Sequence, residues 1–262
     1  MVLLGLMRWI LPFGFVFLST LASCLQEDLA DPALPSVLPE PAPEDTTSVD
    51  EETVPPQWPD TVRYLALGDS YTIGESVPTP GEWPNQLVDS LSNRLPDTYF
   101  HPARIIATTG WTTTNLSMAM DAQQIDTSQF DLVSLLIGVN NQYQGLSLEA
   151  YEVEFAALLE RAVNLAGGQA DRVFVVSIPD YGYTPFGQGN QATISQQLAQ
   201  FNASCAILTE QAGIAHYNIT PISQQWPNVA NWVAQDGLHP SGAQYAAWVA
   251  SFVADVQSQL EE

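Results

Sequence analysis

The chain contains no lysine, and its only permanent cations are six arginines set against 29 acidic residues, a formal net charge of −23 over 262 residues. Such a surface repels phosphate, which argues against nucleic acid or anionic lipid as a partner. Excess carboxylate without lysine also resembles the composition of proteins from saline habitats. Cysteine is almost missing, with only Cys24 and Cys205 present, so a disulfide framework is not expected. Cys205 falls in a helix-like segment between Ala203 and Leu208 and reads as a small buried hydrophobe. A Gly-x-Ser-x-Gly elbow is absent, which argues against the α/β-hydrolase fold. Histidine is scarce as well. His101 and His216 lie at or within apparent strands and read as structural, which leaves His239 as the one histidine with a chemical neighbourhood.

The first 23 residues carry Arg8 and then a short apolar stretch, Trp9 to Leu21, that ends in small residues. This is the pattern of an export signal. Leu21-Ala22-Ser23-Cys24 resembles the bacterial lipobox, which implies lipid attachment at Cys24 and anchoring to a bacterial membrane facing the periplasm or the exterior. The alternative is an ordinary signal peptide cleaved near Ala22, giving a soluble secreted protein. Residues 25–60 hold eight prolines and ten acidic residues with no basic one, so residues 24–60 are expected to form a disordered, extended tether. Residues 61–262 make one domain by length, with 19 acidic residues against five arginines, a net of −14.

Within that domain, apolar β-branched runs alternate with helical periodicity. The runs are Val62 to Leu67, Arg104 to Thr108, Leu132 to Ile137, Arg172 to Ile178 and a weaker Ile214 to Asn218. Trp83, Leu87 and Leu91 repeat every four residues, Leu148 to Ala162 marks a longer amphipathic helix, and a last helix runs from Ser241 to about Leu260. The alternation predicts a five-stranded parallel sheet covered on both faces. Sheets of this kind bind ligands at the carboxyl ends of their strands.

Two short stretches carry the chemistry. Gly68-Asp69-Ser70 ends the first strand, and Asp236-Gly237-Leu238-His239-Pro240 lies just before the last helix. A serine hydroxyl becomes a nucleophile when an imidazole takes its proton and a carboxylate orients that imidazole. Asp236 is close enough to His239 to do so, although the same pair would serve as half of a metal site. Asp69, beside the serine, reads as a residue that pins the turn. Gly110 and Asn140 follow the second and third strands, so both are expected on the same rim as Ser70. The segment from Pro179 to Asn190 follows the fourth strand as a mobile-looking loop, and it offers Tyr181, Tyr183 and Phe186 as a lid, an acyl platform or a sugar platform. Trp226 and Trp232 are candidates for pocket wall or core.

The blocks Gly68-Asp69-Ser70-Tyr71-Thr72, Gly110, Gly138-Val139-Asn140-Asn141 and Asp236-Gly237-Leu238-His239-Pro240 occur in the order of the SGNH (GDSL-type) esterases and lipases, and the chain resembles that family over residues 62 to 258. One departure is visible: the third block commonly ends in Asp, and Asn141 stands there. The resemblance implies a three-layer α/β/α, flavodoxin-like fold and hydrolysis of lipid, lysophospholipid or small acyl esters through an acyl-enzyme. It assigns Ser70 as nucleophile, His239 as base and Asp236 as its orienting acid, with Ser70 N–H, Gly110 N–H and the Asn140 side chain as the oxyanion hole, and no metal or organic cofactor. Two alternatives stand beside it: an O-acetyl esterase or acyltransferase on surface polysaccharide, and a lipid-anchored binding module with a decayed triad.

Overall fold

The computed structural model describes residues 60–125 and 130–261. The export signal, the lipid attachment at Cys24 and nearly all of the tether lie outside the described residues.

Five parallel strands form the main sheet: β2 (Tyr64–Gly68), β4 (Arg104–Ala107), β5 (Leu132–Leu136), β6 (Val173–Val176) and β7 (Ala215–Tyr217). Their order is β4-β2-β5-β6-β7, the doubly wound arrangement in which the first strand sits between the second and third. Every residue of β2, β5 and β6 is buried, which is why these strands read as unbroken apolar runs and not as alternating ones. The one polar residue among them, Ser134, pairs its hydroxyl with that of Tyr64 at 2.6 Å.

Among the described residues, seven α-helices flank the sheet: α1 (Trp83–Arg94), α2 (Thr113–Ala122), α3 (Val139–Tyr143), α4 (Leu148–Leu165), α5 (Gln191–Gln211), α6 (Thr220–Ser223) and α7 (Gly242–Glu261). α1 packs on α7, while α2, α4 and α5 pack side by side, giving the two outer layers. The four-residue repeat of α1 is its buried face, Trp83, Leu87 and Leu91. Trp83, Phe174, Tyr217 and Phe252 join α1 and α7 to β6 and β7, with ring centroids 5.1–6.3 Å apart. Cys205 is buried on α5, and burial pushes its thiol up to about 12, so it is an inert packing residue.

The first apolar run does not form a single strand. Thr61–Val62 (β1) pairs with Tyr99–Phe100 (β3) as a separate two-stranded parallel sheet, and the main sheet begins only at Tyr64. Arg63 is the pivot, donating its N–H to Asp131 Oδ2 at 2.7 Å while its carbonyl accepts from the Asp131 N–H at 2.9 Å. His101 follows β3 and is exposed, three residues before β4, so it does not open that strand. Trp232 is buried and donates Nε1–H to the Ile222 carbonyl at 2.7 Å, a core role.

Candidate active site

The carboxyl ends of β2, β4 and β5 bring together a cleft of about 310 Å³ whose wall includes Ser70, Gly110, Asn140 and His239. This is the crevice at the topological switch point, where the crossovers leave opposite faces of the sheet.

Ser70 leaves β2 in a tight turn. The Thr72 and Ile73 amides donate to the Asp69 carbonyl at 3.0 and 3.1 Å, and Asp69 Oδ1 accepts from the Tyr71 amide at 3.0 Å. The Ser70 N–H is therefore a first-turn amide with no acceptor inside the turn. Gly68 makes the turn possible: a Cβ there would stand 2.0 Å from Thr72 Oγ1 and 2.5 Å from the Leu136 carbonyl oxygen. Asp69 thus pins the loop from a fully buried position. Burial raises its carboxyl to about 7, with the Tyr71 hydrogen bond opposing. Its second oxygen has no protein partner among the described residues.

Asp236 and His239 share the loop before α7. His239 Nδ1 lies 2.6 Å from Asp236 Oδ2, while Asp236 Oδ1 accepts from the Leu238 and His239 amides at 2.9 and 3.0 Å. Ser76 adds a fourth bond, donating its hydroxyl to Oδ2 at 2.7 Å. Partial burial raises the Asp236 carboxyl, but these donors outweigh it and hold the group at about 2. The ionised carboxylate favours Nδ1 as the protonated nitrogen of His239, leaving Nε2 as the base. Among the described residues, no three His, Cys, Asp or Glu side chains gather as a metal site.

Two further loops complete the rim. Gly110 has φ +85°, a left-handed conformation that glycine adopts without strain, and a Cβ there would meet nothing within 4 Å. Asn140 sits in the first turn of α3 and donates one Nδ2 hydrogen to the Trp111 carbonyl at 2.9 Å. A carboxamide has two such hydrogens, so the other remains for a ligand. Asn141, only 1 % exposed, ties α3 to α2: its Oδ1 accepts from Thr113 N–H at 3.1 Å and its Nδ2 donates to Thr113 Oγ1 at 2.7 Å. The Thr113 hydroxyl in turn donates to Glu154 Oε2.

Of the aromatic candidates, Tyr181 and Phe186 line the cleft. Tyr183 lines a neighbouring depression with Gln188, Asn190 and Ser195 instead. The Pro179–Asn190 segment has more internal structure than its composition suggests. It holds short helical turns at Tyr181–Tyr183 and Gln188–Asn190, and Asp180 caps the first by accepting from Gly182 N–H at 2.9 Å. Phe186 N–H donates to the Gly237 carbonyl at 2.9 Å, fastening the segment to the Asp236–His239 loop. Sequence reasoning missed Tyr143, one turn after Asn140 on α3, and Ser76. The spacing on α3 could have found the first, whereas nothing local marks the second.

The GDSL-like Lipase/Acylhydrolase family model matches residues 66–247. No curated protein matches the chain. Among solved structures, a lipase from a goat rumen metagenome is 17% identical with a TM-score of 0.60, over 74% of this chain and 96% of that one. A psychrotrophic esterase from Pseudoalteromonas sp. is 15% identical with a TM-score of 0.57, over 78% and 100%. An acetylxylan esterase from Geobacillus stearothermophilus is 19% identical with a TM-score of 0.56, over 74% and 94%. At these identities the likeness is one of fold.

Proposed function

We propose, for a chain that belongs to the GDSL-like lipase/acylhydrolase family and is a carboxylic ester hydrolase, that Ser70, His239 and Asp236 act as its catalytic triad on short acyl esters. Ser70 Oγ attacks the ester carbonyl as His239 Nε2 takes its proton, and Asp236 Oδ2 holds the imidazolium through Nδ1–H. Ser70 N–H, Gly110 N–H and the free Asn140 Nδ2–H receive the developing oxyanion, three donors that approach one point from three strand ends. Collapse breaks the ester C–O bond and His239 returns the proton to the departing alcohol. Water, deprotonated by the same imidazole, then hydrolyses the acyl-enzyme.

The observation that carries this reading is the 2.6 Å contact between His239 Nδ1 and Asp236 Oδ2 on a cleft that Ser70, Gly110 and Asn140 also line. The size of the cleft, about 310 Å³, supports a short acyl group, since it lies at the small end of ligand pockets. The apolar N-terminal stretch and Cys24 support an exported, lipid-anchored enzyme.

The test is hydrolysis of 4-nitrophenyl esters from acetate to decanoate. Ser70→Ala should lose about 10⁴-fold or more in kcat, and Asn140→Ala about 10²-fold. Activity should fall with chain length. Turnover that survives Ser70→Ala would remove Ser70 as nucleophile.

A further inference from the structure

The cleft that holds Ser70 shares a wall with a second concavity of about 420 Å³. Tyr143, Tyr181 and Phe186 line both spaces. Their rings form a triangle with centroid separations of 6.3 Å for Tyr143–Tyr181, 6.2 Å for Tyr143–Phe186 and 6.3 Å for Tyr181–Phe186. Beyond the triangle, three carboxamides and a hydroxyl, Gln142, Asn190, Gln197 and Thr193, stand beside Ile194 and the glycines Gly145 and Gly187. Gln142 is fixed there, accepting from the Tyr181 hydroxyl at 2.9 Å and donating to Gln197 Oε1 at 2.7 Å. The Gln197 NH₂ and one Gln142 N–H are left over for a ligand.

That lining selects among ligands. A hydrocarbon chain would strip water from the amides and return no hydrogen bond. An anion would find no cationic side chain in the lining and would meet a protein of net charge −23. A neutral ligand with several hydroxyls over an apolar C–H face satisfies both the amides and the rings. Tyr143 and Phe186 are 60% and 54% exposed, so their faces are open for stacking.

We propose that this concavity is the alcohol-side subsite and binds a neutral sugar of a glycan whose esterified hydroxyl presents a short acyl group to Ser70. The proposal rests on the esterase reading above and names its substrate class. In the balanced reaction the acyl carbon leaves the sugar oxygen for Ser70 Oγ, the sugar oxygen takes the proton held by His239, and water then releases the free acid.

The experiment uses the full chain and compares acetylated xylo-oligosaccharides with 4-nitrophenyl acetate. Wild type should favour the glycan ester in kcat/KM. In the double variant Asn190→Ala/Gln197→Ala, the ratio of glycan-ester to aryl-ester kcat/KM should fall about tenfold, the effect of losing one or two hydrogen bonds. An unchanged ratio would overturn the subsite, as would a wild-type preference for acetylcholine or 4-nitrophenyl decanoate over the glycan ester. A second measurement needs no turnover and no altered subsite: calorimetric titration of full-chain Ser70→Ala with unacetylated xylotetraose should show binding, and its absence overturns the proposal. The two readings fail separately. Xylotetraose binding with no Ser70-dependent hydrolysis of any ester would sink the triad alone, whereas Ser70-dependent cleavage of aryl acetate without glycan binding would sink the subsite alone.

Discussion

Asn141→Asp looks conservative, and the neighbourhood of Asn141 makes it costly. Thr113 Oγ1 carries one proton, which it gives to Glu154 Oε2, and it accepts a hydrogen from Asn141 Nδ2 at 2.7 Å. An ionised aspartate at 141 has no hydrogen to give, so two carboxylates compete for one hydroxyl proton. The loser is an unpaired acceptor, in a site where residue 141 is 1 % exposed, at a cost of about 1–3 kcal/mol. The two charges, separated by the Thr113 oxygen, stand roughly 5 Å apart and repel by about 3 kcal/mol at an effective dielectric of 20. The variant should therefore lose about 4–6 kcal/mol at pH 8. The introduced carboxyl has a raised folded-state pKa, so the penalty is absent at low pH and grows as pH rises through that value; at about pH 5 most of the stability returns. Adding Glu154→Gln supplies an amide donor to Thr113 Oγ1, frees its proton for the aspartate and should recover about 2 kcal/mol or more at pH 8. Urea denaturation followed by tryptophan fluorescence at both pH values reads all four corners of the cycle. An Asn141→Asp variant within about 1 kcal/mol of wild type at pH 8, or a double variant no more stable than the single, would refute the reasoning.

Three other outcomes follow from the site. Asp69 has a folded-state carboxyl raised from 3.8 to about 7, so its contribution is fully favourable below pH 3.8 and is lost as pH rises through 7. Asp69→Asn keeps an acceptor for the Tyr71 amide and should gain on wild type by up to about 4 kcal/mol between pH 4 and 8, read as thermal midpoints across pH. Ser76→Ala removes one of the four donors to Asp236 and should lower kcat about threefold to tenfold while the acid limb of the pH profile moves upward; an unmoved profile would reduce Ser76 to a scaffold residue. Self-repulsion among the net −14 of residues 61–262 is screened as the Debye length falls from about 10 Å at 0.1 M to about 3 Å at 1 M, so the melting temperature should climb in molar potassium chloride, and a flat response would remove the saline-habitat expectation.

The sheet was legible because burial on both faces leaves β2, β5 and β6 no polar alternation to obscure them. Ser70, Gly110 and Asn140 were legible as a group because each follows a strand, and parallel strands deliver their carboxyl ends to one side. What the sequence hid was pairing across distance. Arg63 breaks an apolar run because of Asp131, 68 residues away, and local propensity carries no trace of that partner. The same holds for Ser76 and Asp236, 160 residues apart. The glycine- and proline-rich composition of Pro179–Asn190 suggested mobility, yet its Thr184 and Asp180 side chains bond the segment's own backbone and Phe186 reaches Gly237, contacts that composition cannot express.

The rim loops hold one another. Ser76 is bonded to Asp236, Thr109 to Glu75, Asn140 to Trp111, and Phe186 to Gly237. Substrate preference and base geometry are therefore not independent variables in this protein. A Pro179–Asn190 segment transplanted from another member keeps this register only where its own backbone brings an N–H to the Gly237 carbonyl, and otherwise disturbs the loop that presents His239. Variation confined to the side chains of Tyr143 and Phe186, with that backbone bond kept, is the route by which the acyl and alcohol spaces can change while the proton-transfer machinery stays in register.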